Sequence, residues 1–246
     1  MNAVMNGDLN NKNKRTLVIG DTHGHNSWKK IVENETYDKV VFLGDYVDSF
    51  TVKPEEITEN LKDLIEFKRE NKDKVILVWG NHDHSYLFGE MCSGYNYHGA
   101  FLYIPLLKKA MEEELFHLYY IIDDIICSHA GVSQYWLKEV AEKEKIEDLS
   151  WDDVIQHKPW YPKSNILNWN CYQGYNGYGD TISNSLIWIR PNSLLKDKIE
   201  GYRQIVGHTH FKQPYTEEGI YFNDMMPHHY IIIEDGEINF IENKYV

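Results

Sequence analysis

An apolar run that ends in an acid constrains this chain more than anything else in it. Val40-Val41-Phe42-Leu43 is a strand-length stretch without a polar break, and it stops at Gly44-Asp45-Tyr46-Val47-Asp48. A carboxylate at the end of a buried strand is costly unless it is paired or metal-bound. The design recurs four more times. Thr16-Leu17-Val18-Ile19 runs into Gly20-Asp21-Thr22-His23-Gly24-His25, and Val75-Ile76-Leu77-Val78-Trp79 runs into Gly80-Asn81-His82-Asp83-His84. Ile125-Ile126-Cys127 delivers Ser128-His129-Ala130-Gly131, and Arg203-Gln204-Ile205-Val206 delivers Gly207-His208-Thr209-His210. Asp, Asn or His stands at every tip, and five such tips read as one site.

The segments between the tips indicate how they are brought together. Trp28 to Val32 follows the first tip with a helix-like pattern. Pro54, Glu55 and Glu56 open a helix to about Arg69, with Ile57, Leu61, Leu64 and Ile65 at helical spacing. Strand, helix, strand in that order predicts parallel strands with their functional ends at one edge. Residues 85 to 103 mix aromatic residues with Gly and Ser and read as irregular, ahead of a helix from about Leu106 to Leu115. Leu118 to Ile122 and Ile125 to Cys127 read as strands about the turn Asp123-Asp124, with a helix from about Gln134 to Lys145 beyond them. A long segment, 149 to 181, is rich in Trp, Tyr, Asn and Gly and has little periodicity. Tyr221-Phe222, Tyr230 to Ile233 and Ile238 to Ile241 close the chain as antiparallel strands. Two mixed sheets face to face with helices outside would use all of these elements.

Length and composition set the frame. With 246 residues and no linker, one domain over 16–246 is expected, preceded by an Asn- and Lys-rich start, 1–15, without apolar periodicity. A formal net charge of -13 argues against sequence-independent binding to nucleic acid. Cys92, Cys127 and Cys171 have no paired spacing, so neither a disulfide framework nor a thiolate zinc site is expected, and a reducing cytoplasm fits best. No leader and no apolar run of about 18 residues is seen, which argues against secretion and membrane spanning.

Collected, the tips hold Asp21, His23, Asp45, Asn81, His129, His208 and His210. Seven oxygen and imidazole donors are too many for one catalytic ion but suit two divalent ions sharing a carboxylate. Manganese is the first choice and iron and zinc the alternatives, because thiolates are absent. Two ions side by side lower the pKa of a bridging water and clamp a phosphoryl oxygen, which is a hydrolase design.

The five blocks in this order, Gly-Asp-Thr-His-Gly, Gly-Asp-Tyr-Val-Asp, Gly-Asn-His-Asp, Ser-His-Ala-Gly and Gly-His-Thr-His, resemble those of the calcineurin-like metallophosphoesterases. Within that family the chain is most similar to the serine/threonine phosphoprotein phosphatase type and its bacterial and phage relatives. The resemblance implies a four-layer αββα sandwich and a metal-bridging hydroxide that attacks phosphorus. It further implies that Asp45 bridges two ions, with Asp21, His23 and His210 toward one and Asn81, His129 and His208 toward the other. His82, paired with Asp48, would protonate the leaving oxygen, a role for an acid that is not itself a ligand. One departure stands out: Asp48 is followed by Ser49 and Phe50, where such phosphatases continue with Arg-Gly. Arg190, in Trp188-Ile189-Arg190, resembles another arginine of the group and is the candidate phosphate clamp. The expected substrate is therefore a phosphorylated one, first a phosphomonoester, whether phosphoprotein or nucleotide. A dinucleoside polyphosphate hydrolase, a phosphodiesterase and a metal-binding scaffold without chemistry are the alternatives.

Overall fold

A computed structural model describes residues 15–88, 91–144 and 180–245. The expected loose start through residue 14 and most of the aromatic segment lie outside these residues. Eleven strands among them form two sheets. The first six in sheet order are β11 (Glu237–Glu242), β10 (His229–Glu234), β1 (Arg15–Ile19), β2 (Lys39–Phe42), β3 (Val75–Val78) and β4 (Phe116–His117). The second sheet runs β5 (Tyr119–Ile122), β6 (Ile125–Ser128), β7 (Arg203–His210), β9 (Ile220–Asp224) and β8 (Tyr215–Glu217). β1 to β4 are mutually parallel, as are β6, β7 and β9. The parallel expectation therefore holds, and both parallel sets end at the same loops.

Period-two alternation explains why neither sheet leaves an apolar face wet. Val18, Val41, Leu43, Ile76 and Val78 of the first sheet pack with Ile125, Cys127 and Ile205 of the second. Their neighbours Leu17, Ile19, Val40, Phe42 and Leu77 turn the other way and pack with helices. Chief among these is α2 (Pro54–Glu70), which buries Ile57, Leu61, Leu64 and Ile65, each worth about 1.5–3 kcal/mol of burial. Pro54 starts this helix, Glu55 and Glu56 sit in its first turn, and Lys68 and Arg69 sit in its last, all matching the backbone dipole. α1 (Trp28–Asn34) packs Trp28 edge-on to Phe42, and α5 (Gln134–Glu144) adds Trp136, Leu137 and Val140 to the core. A short α6 (Pro191–Asp197) sets Leu194 against Val206 and Phe222. Helices thus flank two facing mixed sheets, as the αββα reading requires.

Three local expectations change. Residues 85 to 103 are largely helical: α3 (Asn81–Phe88) begins inside the third tip, and α4 (Tyr97–Glu112) starts well before Leu106. Asn96 caps α4 by accepting the Gly99 N–H, and a side chain at Gly99 would meet the buried Tyr103 ring at 2.5 Å. Gly and aromatic residues here are packing choices inside a helix, and Pro105 within it further blurs the pattern. Second, the strand expected from Leu118 forms as β5 in the second sheet, but an unexpected two-residue strand, β4, precedes it and edges the first sheet. Third, β8 and α6 carry too few apolar residues to announce themselves. Among the described residues no helix is long and apolar enough to cross a membrane.

Candidate metal centre and active site

All five tips converge, and backbone hydrogen bonds knit them together. The His23 N–H donates to Asp45 O at 2.8 Å and the Gly24 N–H to Tyr46 O at 3.1 Å, joining the loops after β1 and β2. The Gly207 N–H donates to His129 O at 2.7 Å, joining β6 and β7. The backbone is strained where the chemistry lies: His23, Asp45, Asp48 and His208 all have positive φ, of 43°, 51°, 63° and 62°. Such conformations are costly for residues other than glycine and persist where surrounding structure over-determines them. Two glycines give the carboxylates room. A Cβ on Gly80 would lie 2.1 Å from Asp45 Oδ1, and one on Gly207 would lie 2.0 Å from Asp21 Oδ1.

Asp45 is the hub. Its Oδ1 accepts the His82 backbone N–H at 2.9 Å. Its Oδ2 lies 3.4 Å from His129 Nε2, 3.8 Å from His23 Nε2 and 3.9 Å from His82 Nε2. Burial alone would raise this carboxyl, but His129, His82 and His23 draw it below the ordinary carboxylate value. Asp21 goes the other way, held well above that value by burial and by the like charges of Asp224 and Asp45. Asp21 Oδ2 accepts the His208 N–H at 2.9 Å, while its buried Oδ1 has no hydrogen-bond partner.

The imidazoles sort themselves by what holds their far nitrogen. A carbonyl oxygen only accepts, so the ring nitrogen against it must carry the proton and the other must offer a lone pair. His129 Nδ1 donates to Leu43 O at 2.7 Å, and His208 Nε2 to Trp188 O at 3.1 Å. His23 Nδ1 donates to Asp48 O at 2.9 Å, and His210 Nδ1 to Asp224 O at 2.9 Å. The lone pairs of His129 Nε2 and His208 Nδ1 then both point at Asn81 Oδ1, each 2.8 Å away. Burial lowers the pKa of His129, and burial with the nearby Arg190 charge holds His208 well below the ordinary value. Both rings are therefore neutral, and three acceptors meet with no proton among them. A cation between them would satisfy all three acceptors at once, so the residues fit a metal.

Among the described residues, donor atoms close enough to share an ion fall into two groups, Asp45 with His129 and His208, and Asp21 with His23 and Asp45. Asp45 belongs to both. His210, the remaining expected donor, is exposed and lies outside either group, although its Nε2 is left open by the bond at Nδ1.

His82 is built differently. Its Nδ1 lies 2.9 Å from Asp48 Oδ2, a carboxylate rather than a carbonyl. Burial pulls its pKa down, but Asp45 and the bond to Asp48 overcome this and raise it to about 9. A ring in this setting keeps a second proton, which burial disfavours in His129 and His208. Arg190 reaches the same space, with Nη1 donating to His208 O and to Thr209 Oγ1, both at 3.1 Å.

Several supporting residues gave weaker signals in the chain. Tyr86 donates its hydroxyl to Asp48 Oδ1, and it lies one helical turn after His82, a spacing that places both on one face of α3. Asp83 accepts the N–H groups of Tyr46 at 2.8 Å and Gly80 at 3.1 Å, and burial beside Asp45 raises it to about 8. It stands in the third tip without an expected role. Asp224, at the end of β9, is raised by burial despite His23 and His210, and only β-register reveals it, opposite His210. His84 is buried against Phe88 and lowered to about 3 by burial, a core residue.

Two facing mixed sheets between helices, carrying at one edge clustered carboxylate and imidazole donors, define a metal-dependent hydrolase. The match to the calcineurin-like phosphoesterase family covers residues 14–212, and the chain belongs to that family. It is accordingly a metal-dependent phosphoesterase. No curated protein sequence matches it. Its fold is similar to the cold-active protein-tyrosine phosphatase of a psychrophile, Shewanella sp., with a TM-score of 0.61 at 16% identity over 95% of this chain and 79% of that one. It is also similar to a protein serine/threonine phosphatase from Saccharomyces cerevisiae, with a TM-score of 0.55 at 14% identity over 93% of this chain and 80% of the other.

Proposed function

We propose that the protein is a phosphomonoesterase using two divalent ions, manganese by preference, that share Asp45. Asp21 and His23, with His210 on the outer side, would hold one ion, and Asn81, His129 and His208 the other. The observation that carries this reading is the meeting of the His129, His208 and Asn81 lone pairs beside Asp45. Bound there, the ions would supply Lewis acidity toward a phosphoryl oxygen and a water made nucleophilic at neutral pH.

The chain's own groups supply the remainder. His82, kept protonated by Asp48, donates from Nε2 to the departing oxygen, and the Asp48 carboxylate orients the ring and stabilises its charge. Tyr86 fixes the other oxygen of Asp48, so that Oδ2 stays on the ring. Arg190, anchored through Nη1, presents positive charge toward an equatorial phosphate oxygen. A dianionic monoester gains more from that cationic setting than a singly charged diester. The two similar structures are of a tyrosine and a serine/threonine phosphatase, which agrees with a phosphomonoester but not with one choice of residue. The intended partner is a phosphorylated substrate, and we place the protein in the cytoplasm, where free thiols such as Cys92 and Cys127 persist.

Steady-state kinetics on p-nitrophenyl phosphate and its bis ester, with manganese, iron or zinc supplied, test the reading. The monoester is expected to be the better substrate. Arg190→Ala should lower kcat/KM about tenfold on the monoester and less on the diester. A wild type that handles the diester tenfold better would identify a phosphodiesterase instead.

A further inference from the structure

Three of the most exposed large apolar side chains among the described residues are linked to the acid pair through Gly94, Tyr95 and Tyr86. Phe50 is 87% exposed, Tyr97 67% and Met91 59%. Ser49 Oγ accepts the Thr51 and Val52 N–H groups, each at 3.2 Å, and closes a tight turn that carries Phe50 directly after it. A Cβ on Gly94 would lie 3.5 Å from the tip of the Phe50 ring and 3.9 Å from Asp48 Cβ, so the ring stands about one residue's width from Asp48. On the far side of Gly94, Tyr97 Oη meets Met91 Sδ at 3.3 Å, and Tyr95 presents its ring edge-on to Tyr97, centroids 5.5 Å apart. Tyr95 stacks on Tyr86 at 4.4 Å, and Tyr86 is bonded to Asp48. Phe50 and Tyr97 thus each connect to the pair of Asp48 and His82.

We infer that Phe50, Met91 and Tyr97 form a subsite for an aromatic leaving group of the phosphoester. The inference rests on the reading of His82 as the acid, because whatever His82 protonates must extend past Asp48 toward these side chains. A flat ring suits the patch better than a chain of hydroxyls. It offers faces and edges to Phe50 and Tyr97 and a π-system to the Met91 sulfur, while a chain of hydroxyls would find only Tyr97 Oη, already turned to Met91. The charge of -13 disfavours an acidic segment as the occupant. Gly94 is part of the design: its φ of 89° leaves a side chain there strained, although a Cβ would only touch Phe50.

Titration of the metal-loaded protein with benzylphosphonate and ethylphosphonate separates ring recognition from catalysis. The wild type should prefer the benzyl compound by about tenfold, the scale of one aromatic contact set. Phe50→Ala should cut that preference to about threefold or less and leave ethylphosphonate binding unchanged, which also shows that the variant is folded. Phe50→Tyr should retain the preference. Equal binding of the two compounds by the wild type, no binding of either, or an equal loss of both in Phe50→Ala would overturn the subsite. Benzyl and ethyl phosphate, whose leaving alcohols are of similar acidity, provide the kinetic counterpart. If neither ester is turned over while the phosphonate preference and its loss persist, the subsite stands and the monoesterase reading falls.

Discussion

The two halves of the centre contrast in burial. Around Asn81, His129 and His208 the site is closed: His129 is wholly buried, and Trp188 O and Leu43 O lock the two rings. Around Asp21 and His23 it is more open, with the His23 side chain about a third exposed and His210 at the surface. The closed half brings three lone pairs face to face, whereas the open half holds one buried carboxylate oxygen, Asp21 Oδ1, without a hydrogen-bond partner. On the reading proposed above, the closed half should hold its ion more tightly than the open half. Asp45, touching both, is where the difference can be measured.

The largest effect is expected from Asp45→Asn. It removes the shared charge, so both ions should be lost together with several kcal/mol of charge stabilisation, about a thousandfold or more in rate. Elemental analysis with turnover is the check. Two metals per chain and near-normal kcat would remove Asp45 from the shared position and end the comparison.

His82→Ala should leave metal content intact in both halves. It should cost about a hundredfold on ethyl phosphate and much less on p-nitrophenyl phosphate, whose leaving group needs no proton. Equal losses on the two esters would show that His82 positions rather than donates. The chelated protein provides a pH test of the same ring. The pKa of His82 is raised on folding to about 9, so its contribution is full below the unfolded value near 6.5 and disappears as pH rises through 9. Asp83, raised to about 8, gives a decline of the same sign between its ordinary value and 8. Between pH 7 and 9 the melting temperature should therefore fall in the wild type and fall less steeply in His82→Ala, where only the raised carboxyls remain.

The smallest difference sharpens the contrast most directly. His208→Ala should empty the closed position, while His210→Ala should weaken the open one by about 10- to 100-fold, the scale of an outer partner. Metal titration calorimetry on the two variants decides it. Equal losses would mean that the open half binds as tightly as the closed one and that His210 moves into the cluster.

Much of this was legible in the chain because it is local. Apolar runs of four or five residues, each ending in Asp, Asn or His, announce strands and their loops without reference to anything distant, and Asp21, His23, Asp45, Asn81, His129 and His208 all follow from them. The helix from Pro54 was as plain, since its caps and spacing are contained within it. The helix from Tyr97 was not, because its aromatic residues and Gly99 owe their places to Tyr103 and to tertiary packing. Tyr86 on Asp48, Asp224 opposite His210 and Phe50 near Gly94 join residues 14 to 44 positions apart. So does the distinction between rings held by carbonyls and the ring held by a carboxylate, which separates His82 from His129. The chain alone determined which residues would gather, since strand and tip are neighbours in it. Which nitrogen each imidazole offers, which half lies open and which side chains border the acid depended on partners supplied by other strands, and only the packed fold chose them.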